Sequence, residues 1–175
     1  GAALDAMRRQ GITSFLDAYT DPETMTAFST LQRQGKLTAR AHFAVLVDLA
    51  KGATVAELLT QQKRFDQGAT VVAPSMQVRH AKLFMDGVIA APAFTGAMLE
   101  PYFVDKGSAG KPDWQPGPGN GPESYFSRAA LTAALAELAA AQIDPHIHAD
   151  GDRAVRESLD AIESLRARQG GKDMR

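Results

Sequence analysis

Three sets of residues in this sequence have types and spacings that could do chemistry. Between Val78 and Ile89, the residues His80, Lys82, Phe84 and Asp86 alternate with Ala81, Leu83 and Met85. In a strand the first set shares one face and the apolar set the other. The apolar face suits packing against helices, so Lys82 and His80 fall on a barrel interior. A bare ammonium there is costly unless it is paired, deprotonated or chemically modified. The plainer reading puts Lys82 at a solvated edge or pairs it with Asp86 or another carboxylate. In the second set, His146 and His148 stand two apart and share a strand face. That spacing can present two imidazoles to one metal or to neighbouring sites, or form a hydrogen-bonded pair at a strand end. The third set is acidic: Asp17, Asp48, Asp86 and Asp150 stand at or just beyond the ends of the proposed strands. Parallel barrels carry their active sites on that rim, although each acid could instead cap a helix or form a turn. Asp152 reads as a helix cap.

The elements that must position these residues follow from apolar periodicity. Four short apolar runs alternate with amphipathic stretches of helical length, the pattern of successive βα units around a parallel sheet. Leu4 to Gln10 reads as a helix end stopped by Gly11, followed by a strand at Ile12–Asp17. Asp21 caps a helix with Pro22 at its first position and Met25, Phe28 and Leu31 inward. A second strand is expected over Ala39–Asp48. Thr54 and Glu57 then form a capping box for a helix burying Val55, Leu58, Leu59 and Phe65. The third strand is placed at Val78–Ile89, and Thr70 to Ala73 before Pro74 could add a short extended piece. Residues 105–123 are rich in Gly, Pro and Ser around a single Trp114, which reads as a functional loop or lid. Ser127 caps a helix with Leu131, Leu135, Leu138 and Ala139 on one face. The fourth strand, Asp144–Ala149, leads into a last helix expected to turn Val155, Leu159 and Ile162 inward.

Composition narrows the chemistry. The 175 residues are 45% hydrophobic with a formal net charge of −1, which offers no electrostatic footprint for nucleic acid or an anionic membrane. No apolar run is long enough to span a bilayer, and the stretch Gly1-Ala2-Ala3-Leu4-Asp5 lacks the charged and apolar regions of a signal peptide. Compartment is left open, with the cytoplasm slightly favoured. Cysteine is absent, so a metal here would be held by His, Asp, Glu or a modified Lys. There is no G-x-S-x-G elbow, P-loop or G-x-G-x-x-G, which leaves metal-assisted hydrolysis.

Four motifs taken together resemble a known family. Gly11-Ile12-Thr13-Ser14 with Asp17-Ala18, then Lys82-Leu83-Phe84-Met85-Asp86-Gly87, then Met98-Leu99-Glu100-Pro101-Tyr102, then His146-Ile147-His148-Ala149-Asp150-Gly151-Asp152-Arg153-Ala154 resemble the family 3 amidohydrolases, the branch that includes N-substituted formamide deformylase-like proteins. The resemblance implies an α/β fold, a TIM-like (β/α) barrel of which about half is present here. It also implies hydrolysis of C–N amide-type bonds in a small-molecule substrate by water activated at one or two divalent metals, zinc foremost. Lys82 matches the position that is carboxylated in binuclear members, where a carbamate turns the costly cation into an anionic oxygen ligand. His148 matches a metal-ligand histidine. His146, Asp86, Asp17 and Asp150 are then expected to orient ligands or contact substrate.

The family's N-terminal H-x-H pair, a later histidine and the general-base Asp do not occur in this chain. The segment alone is therefore expected to be an inactive internal piece of a longer hydrolase. The competing expectation is a non-catalytic half-barrel whose exposed sheet edges drive homo-oligomerisation. An open doubly wound ligand-binding domain lacks a glycine fingerprint and explains neither Lys82 nor the paired histidines.

Overall fold

The computed structural model describes residues 1–47, 54–67, 73–168 and 170. The chain divides into two compact units. One comprises Gly1–Leu83 and Glu137–His146; the other comprises Phe84–Ala136 and the chain from Ile147 on.

In the first unit, helix α1 (Ala2–Arg9) ends where Gly11 takes a φ of 74°, a conformation that only glycine adopts without strain. Strand β1 (Ser14–Thr20) follows, starting two residues later than expected and running three further. Asp21 caps α2 (Pro22–Arg33) by accepting from the Thr24 amide at 2.6 Å, and that bond holds its carboxyl below the ordinary carboxylate value. Strand β2 (Arg40–Leu46) leads to α3 (Val55–Phe65), whose N-terminus carries the complete Thr54–Glu57 capping box. Asp48 and residues 70–72 lie outside the described residues.

The sheet order is β1-β2-β3-β6, with β3 at Met76–Phe84 and β6 at Asp144–His148, and the β1–β2 and β2–β3 pairs run parallel. Paired residues share a face, so Phe15 stands opposite Ala41 and Asp17 opposite Phe43. On that face Phe15, Phe28 and Phe43 form an aromatic cluster with centroids 5.3 to 6.3 Å apart, burying Phe43 completely. Ala41, Phe43 and Val45 of β2 and Ala81 and Leu83 of β3 are all buried, as the alternation requires.

Strand β3 ends at Phe84, five residues short of the expected Ile89. Asp86 has turned away to bind backbone amides, and Gly87 and Val88 bond locally to Thr95 and Gly96, so the chain has left the sheet. This belongs to the second unit, as does most of α4 (Arg128–Ala140). Ser127 caps α4 through the Ala130 amide, and Leu131, Leu135 and Leu138 are fully buried. The expected loop at 105–123 contains a small antiparallel hairpin, β4 (Phe103–Asp105) with β5 (Trp114–Pro116). Asp105 pins its tip by accepting from the Gly107 and Asp113 amides, both at 2.8 Å. Charge on such a carboxylate is favoured by those bonds, which lower its pKa.

Helix α5 (Asp152–Arg168) corrects one expectation outright. Its buried stripe is Ala154, Ser158, Ala161 and Leu165, whereas Val155 and Leu159 are 41% and 59% exposed. Two apolar stripes one residue apart lie about 100° apart on a helix, and tertiary anchors chose between them. The Ala154 and Arg153 amides donate to Ala97 O, and the Arg153 guanidinium donates to Pro122 O and Glu123 Oε2. Those bonds set the helix's rotation. The Asp152 carboxylate, expected as the cap of this helix, instead accepts from Leu99 N at 2.7 Å.

Candidate functional site

The chemistry-bearing residues fall into two clusters, one in each unit. In the first unit, β2 and β3 pair Ala44 with His80 and Leu46 with Lys82, which puts His80 and Lys82 on the face opposite the aromatic cluster. Lys82 is 6% exposed, and burial lowers its ammonium pKa as expected for a cation removed from water. His80 lies against His42 with ring centroids 5.9 Å apart. Burial lowers the His80 pKa, Asp144 opposes that shift, and His42 and His146 reinforce it. His146 is also shifted down, by burial first and then by the charge of Lys82. His42 escaped the reading of the sequence. Its signal was available in the Arg40-Ala41-His42 alternation of β2, but only the parallel register brings it to His80.

The second unit holds a tighter arrangement. Asp86 is 1% exposed, and its carboxylate accepts three backbone amides: Ala97 N and Gly151 N at 2.8 Å on Oδ2, and Asp150 N at 3.0 Å on Oδ1. A buried carboxylate is tolerable when its lone pairs are filled in this way. His148 Nε2 lies 2.7 Å from Gly87 O and 3.7 Å from both Asp86 Oδ1 and Asp150 Oδ1. The Phe84 ring packs on the imidazole at 5.1 Å. His148 O accepts from Met85 N, so backbone and side chain of this residue are both tied to the segment after β3.

Glycine is required where these segments cross. A Cβ on Gly151 would overlap the Ala97 backbone, its carbonyl oxygen first. Asp150 is exposed beside His148. Asp17 takes part in neither cluster: its carboxylate accepts from Tyr19 N at 3.3 Å, beside the irregularity in the β1–β2 register. Ala97, Gly151 and the Gly87 carbonyl were invisible as site residues, because backbone groups leave no mark on a side-chain reading.

The model of the amidohydrolase family matches residues 1–175, the whole sequence. The chain belongs to that family. Among its relatives, the exoenzymes regulatory protein AepA of Pectobacterium carotovorum subsp. carotovorum is 30% identical over 155 residues, which are 87% of this chain and 29% of that protein. Two crystal structures share the fold, both of uncharacterized metal-dependent hydrolases. That of Pyrococcus furiosus gives a TM-score of 0.64 at 20% identity, over 94% of this chain and 30% of the other. That of Pyrococcus horikoshii OT3 gives 0.63 at 21% identity, over 93% and 29%. This amidohydrolase chain thus spans about 30% of the length of its relatives, and its α/β sheet corresponds to a parallel half-barrel.

Among the described residues of the amidohydrolase segment, no three His, Asp or Glu side chains gather into a metal-binding group. The donor chemistry is nonetheless suited to a divalent ion. His148 Nε2 faces the Gly87 carbonyl, which only accepts, so a hydrogen bond there calls for the hydrogen on Nε2, and in the neutral ring that leaves the lone pair on Nδ1. Burial makes the Lys82 ammonium less favoured than it is in water.

Proposed function

We propose that this chain supplies two ligands, His148 and a carboxylated Lys82, to the metal centre of a hydrolase that cleaves amide-type, non-peptide C–N bonds. The observation that carries this reading is the imidazole of His148: at the end of a sheet strand, it has one nitrogen committed to Gly87 O and the other available as a donor. Metal-ligating histidines are typically held in this way by a carbonyl or carboxylate on the far nitrogen.

Lys82 supports the same reading. Burial disfavours its ammonium, and the neutral amine can attack carbon dioxide: an N–C bond forms, one C=O π pair moves to oxygen, and the nitrogen gives up a proton. The product is a carbamate whose oxygens suit zinc and similar ions. When bound, a divalent ion supplies Lewis acidity toward a carbonyl oxygen and toward water. The chain's own residues orient and exclude: Gly87 O fixes the His148 ring, Phe84 packs against it at a tilt, and Asp86 holds the surrounding backbone. Remaining ligands and the general base are assigned to other parts of a longer polypeptide, so the segment alone is inactive.

The test is metal content, measured by mass spectrometry on the full-length hydrolase carrying this segment, with Lys82→Ala and His148→Ala alongside. The expected result is metal in the parent, loss in both variants, and parallel loss of hydrolysis across a panel of N-substituted amides. Full metal and full activity in either variant would refute the assignment.

A further inference from the structure

We propose that Asp86 is the positioning residue that decides which ring nitrogen His148 presents. The inference rests on the reading of His148 as a ligand only for its consequence; the arrangement itself is on the structure. Asp86 directly precedes Gly87, whose carbonyl faces His148 Nε2. Its carboxylate also holds the Asp150 and Gly151 amides, which follow His148 by two and three residues. One side chain therefore staples the segment carrying the carbonyl to the segment carrying the imidazole.

The third bond extends the staple. Asp86 Oδ2 accepts from Ala97 N, while Ala97 O accepts from the Arg153 and Ala154 amides at the start of α5. The backbone on both sides of the His148 ring is thus referred to a single buried anion. Oδ1, 3.7 Å from Nε2, adds a field that favours a hydrogen on that nitrogen. Both effects select the Nε2–H tautomer and leave Nδ1 as the donor. Asp86 need not touch substrate or metal to do this.

A carboxylate is required because the three backbone groups bound to it are all N–H donors seeking an acceptor. Asparagine would offer one oxygen and turn an NH2 group toward an N–H donor. The staple would open on one side, Gly87 O would no longer be held against the ring, and the tautomer preference would relax.

The test reads the ring directly. This chain is labelled with 15N-histidine, and tautomers are read by long-range 1H–15N correlation above the imidazole titration range; the His148 signals are assigned by their loss in His148→Asn. The parent is expected to show His148 as Nε2–H, Asp86→Asn as a mixture of tautomers, and Ser127→Ala, which removes the α4 cap and none of the ring's own contacts, as Nε2–H still. In the full-length hydrolase carrying this segment, zinc affinity is expected to fall roughly 10- to 100-fold in Asp86→Asn. An Nδ1–H or mixed tautomer in the parent overturns the proposal with no variant required. So does an Asp86→Asn chain that loses stability yet keeps the parental tautomer. If the tautomer relaxes but the full-length hydrolase carries no metal, the positioning role stands and the metal-ligand reading falls.

Discussion

Gly151→Ala is the substitution for which the structure makes the sharpest demand. Gly151 is buried, its amide donates to Asp86 Oδ2 at 2.8 Å, and a Cβ there would overlap the nitrogen, carbon and oxygen of Ala97. All three obstructing atoms are backbone, so no side chain can swing away. Overpacking of this kind costs about 1–3 kcal/mol. Moving Ala97 or Gly151 apart also gives up at least one hydrogen bond to a buried carboxylate, worth about 1.5–3 kcal/mol. The sum is roughly 2.5–6 kcal/mol, a large part of the ~5–15 kcal/mol typical of a domain. At about 2–4 °C per kcal/mol for a chain of this size, the melting temperature should fall by about 5–24 °C. Thermal and urea unfolding followed by circular dichroism would measure it. Gly119→Ala is the control, since a Cβ at Gly119 meets nothing within 4 Å. Equal stabilities for the two variants would mean that the crossing of the Ala97 and Gly151 segments is not as described.

Other expectations can be checked in the same way. Thr54→Ala removes the capping box of α3 and should cost about 1 kcal/mol in urea unfolding. On α5, Leu159→Glu should change stability by no more than about 0.5 kcal/mol, because Leu159 is exposed, while Ala161→Glu buries a charge and should prevent folding; the opposite order would restore the Val155, Leu159 and Ile162 face as the inner one. His80 has a folded pKa below the ordinary imidazole value, chiefly from burial, so the unfolded chain takes up its proton first. Stability should be complete above about pH 6.5 and fall as the pH drops below it, and His80→Gln should flatten that slope in unfolding curves taken across the range.

Much of this architecture can be read from residue order because local chemistry writes it. Asp21, Thr54 and Ser127 announce helix starts through side chains that reach amides three residues on, and the alternation around Lys82 gives the faces of β3 without any tertiary knowledge. The choice of face on α5 could not be read this way. Ala154-Ser158-Ala161 and Val155-Leu159-Ile162 both repeat with helical spacing, and the decision lies with backbone bonds to Ala97 and the Arg153 clamp on Pro122 and Glu123. The end of β3 was misjudged for a related reason. Val88 and Ile89 have strand-like side chains, but Asp86 finds three amide donors outside the sheet and takes the chain with it. At the candidate site, Lys82 and His148 stood out by type and motif, whereas His42 needed the β2–β3 register and Gly87 acts through a carbonyl that every residue possesses.

The ligand assignment of His148 and Lys82 is tested most directly by titrating zinc into the metal-free, 15N-histidine-labelled full-length hydrolase carrying this segment while following His42, His80 and His148. The expected result is that His148 responds first and through Nδ1, that His42 and His80 stay unmoved until higher zinc, and that Lys82→Ala shifts the His148 response to higher zinc concentration. A His148 ring that never responds, or a response identical in the parent and Lys82→Ala, would contradict the assignment.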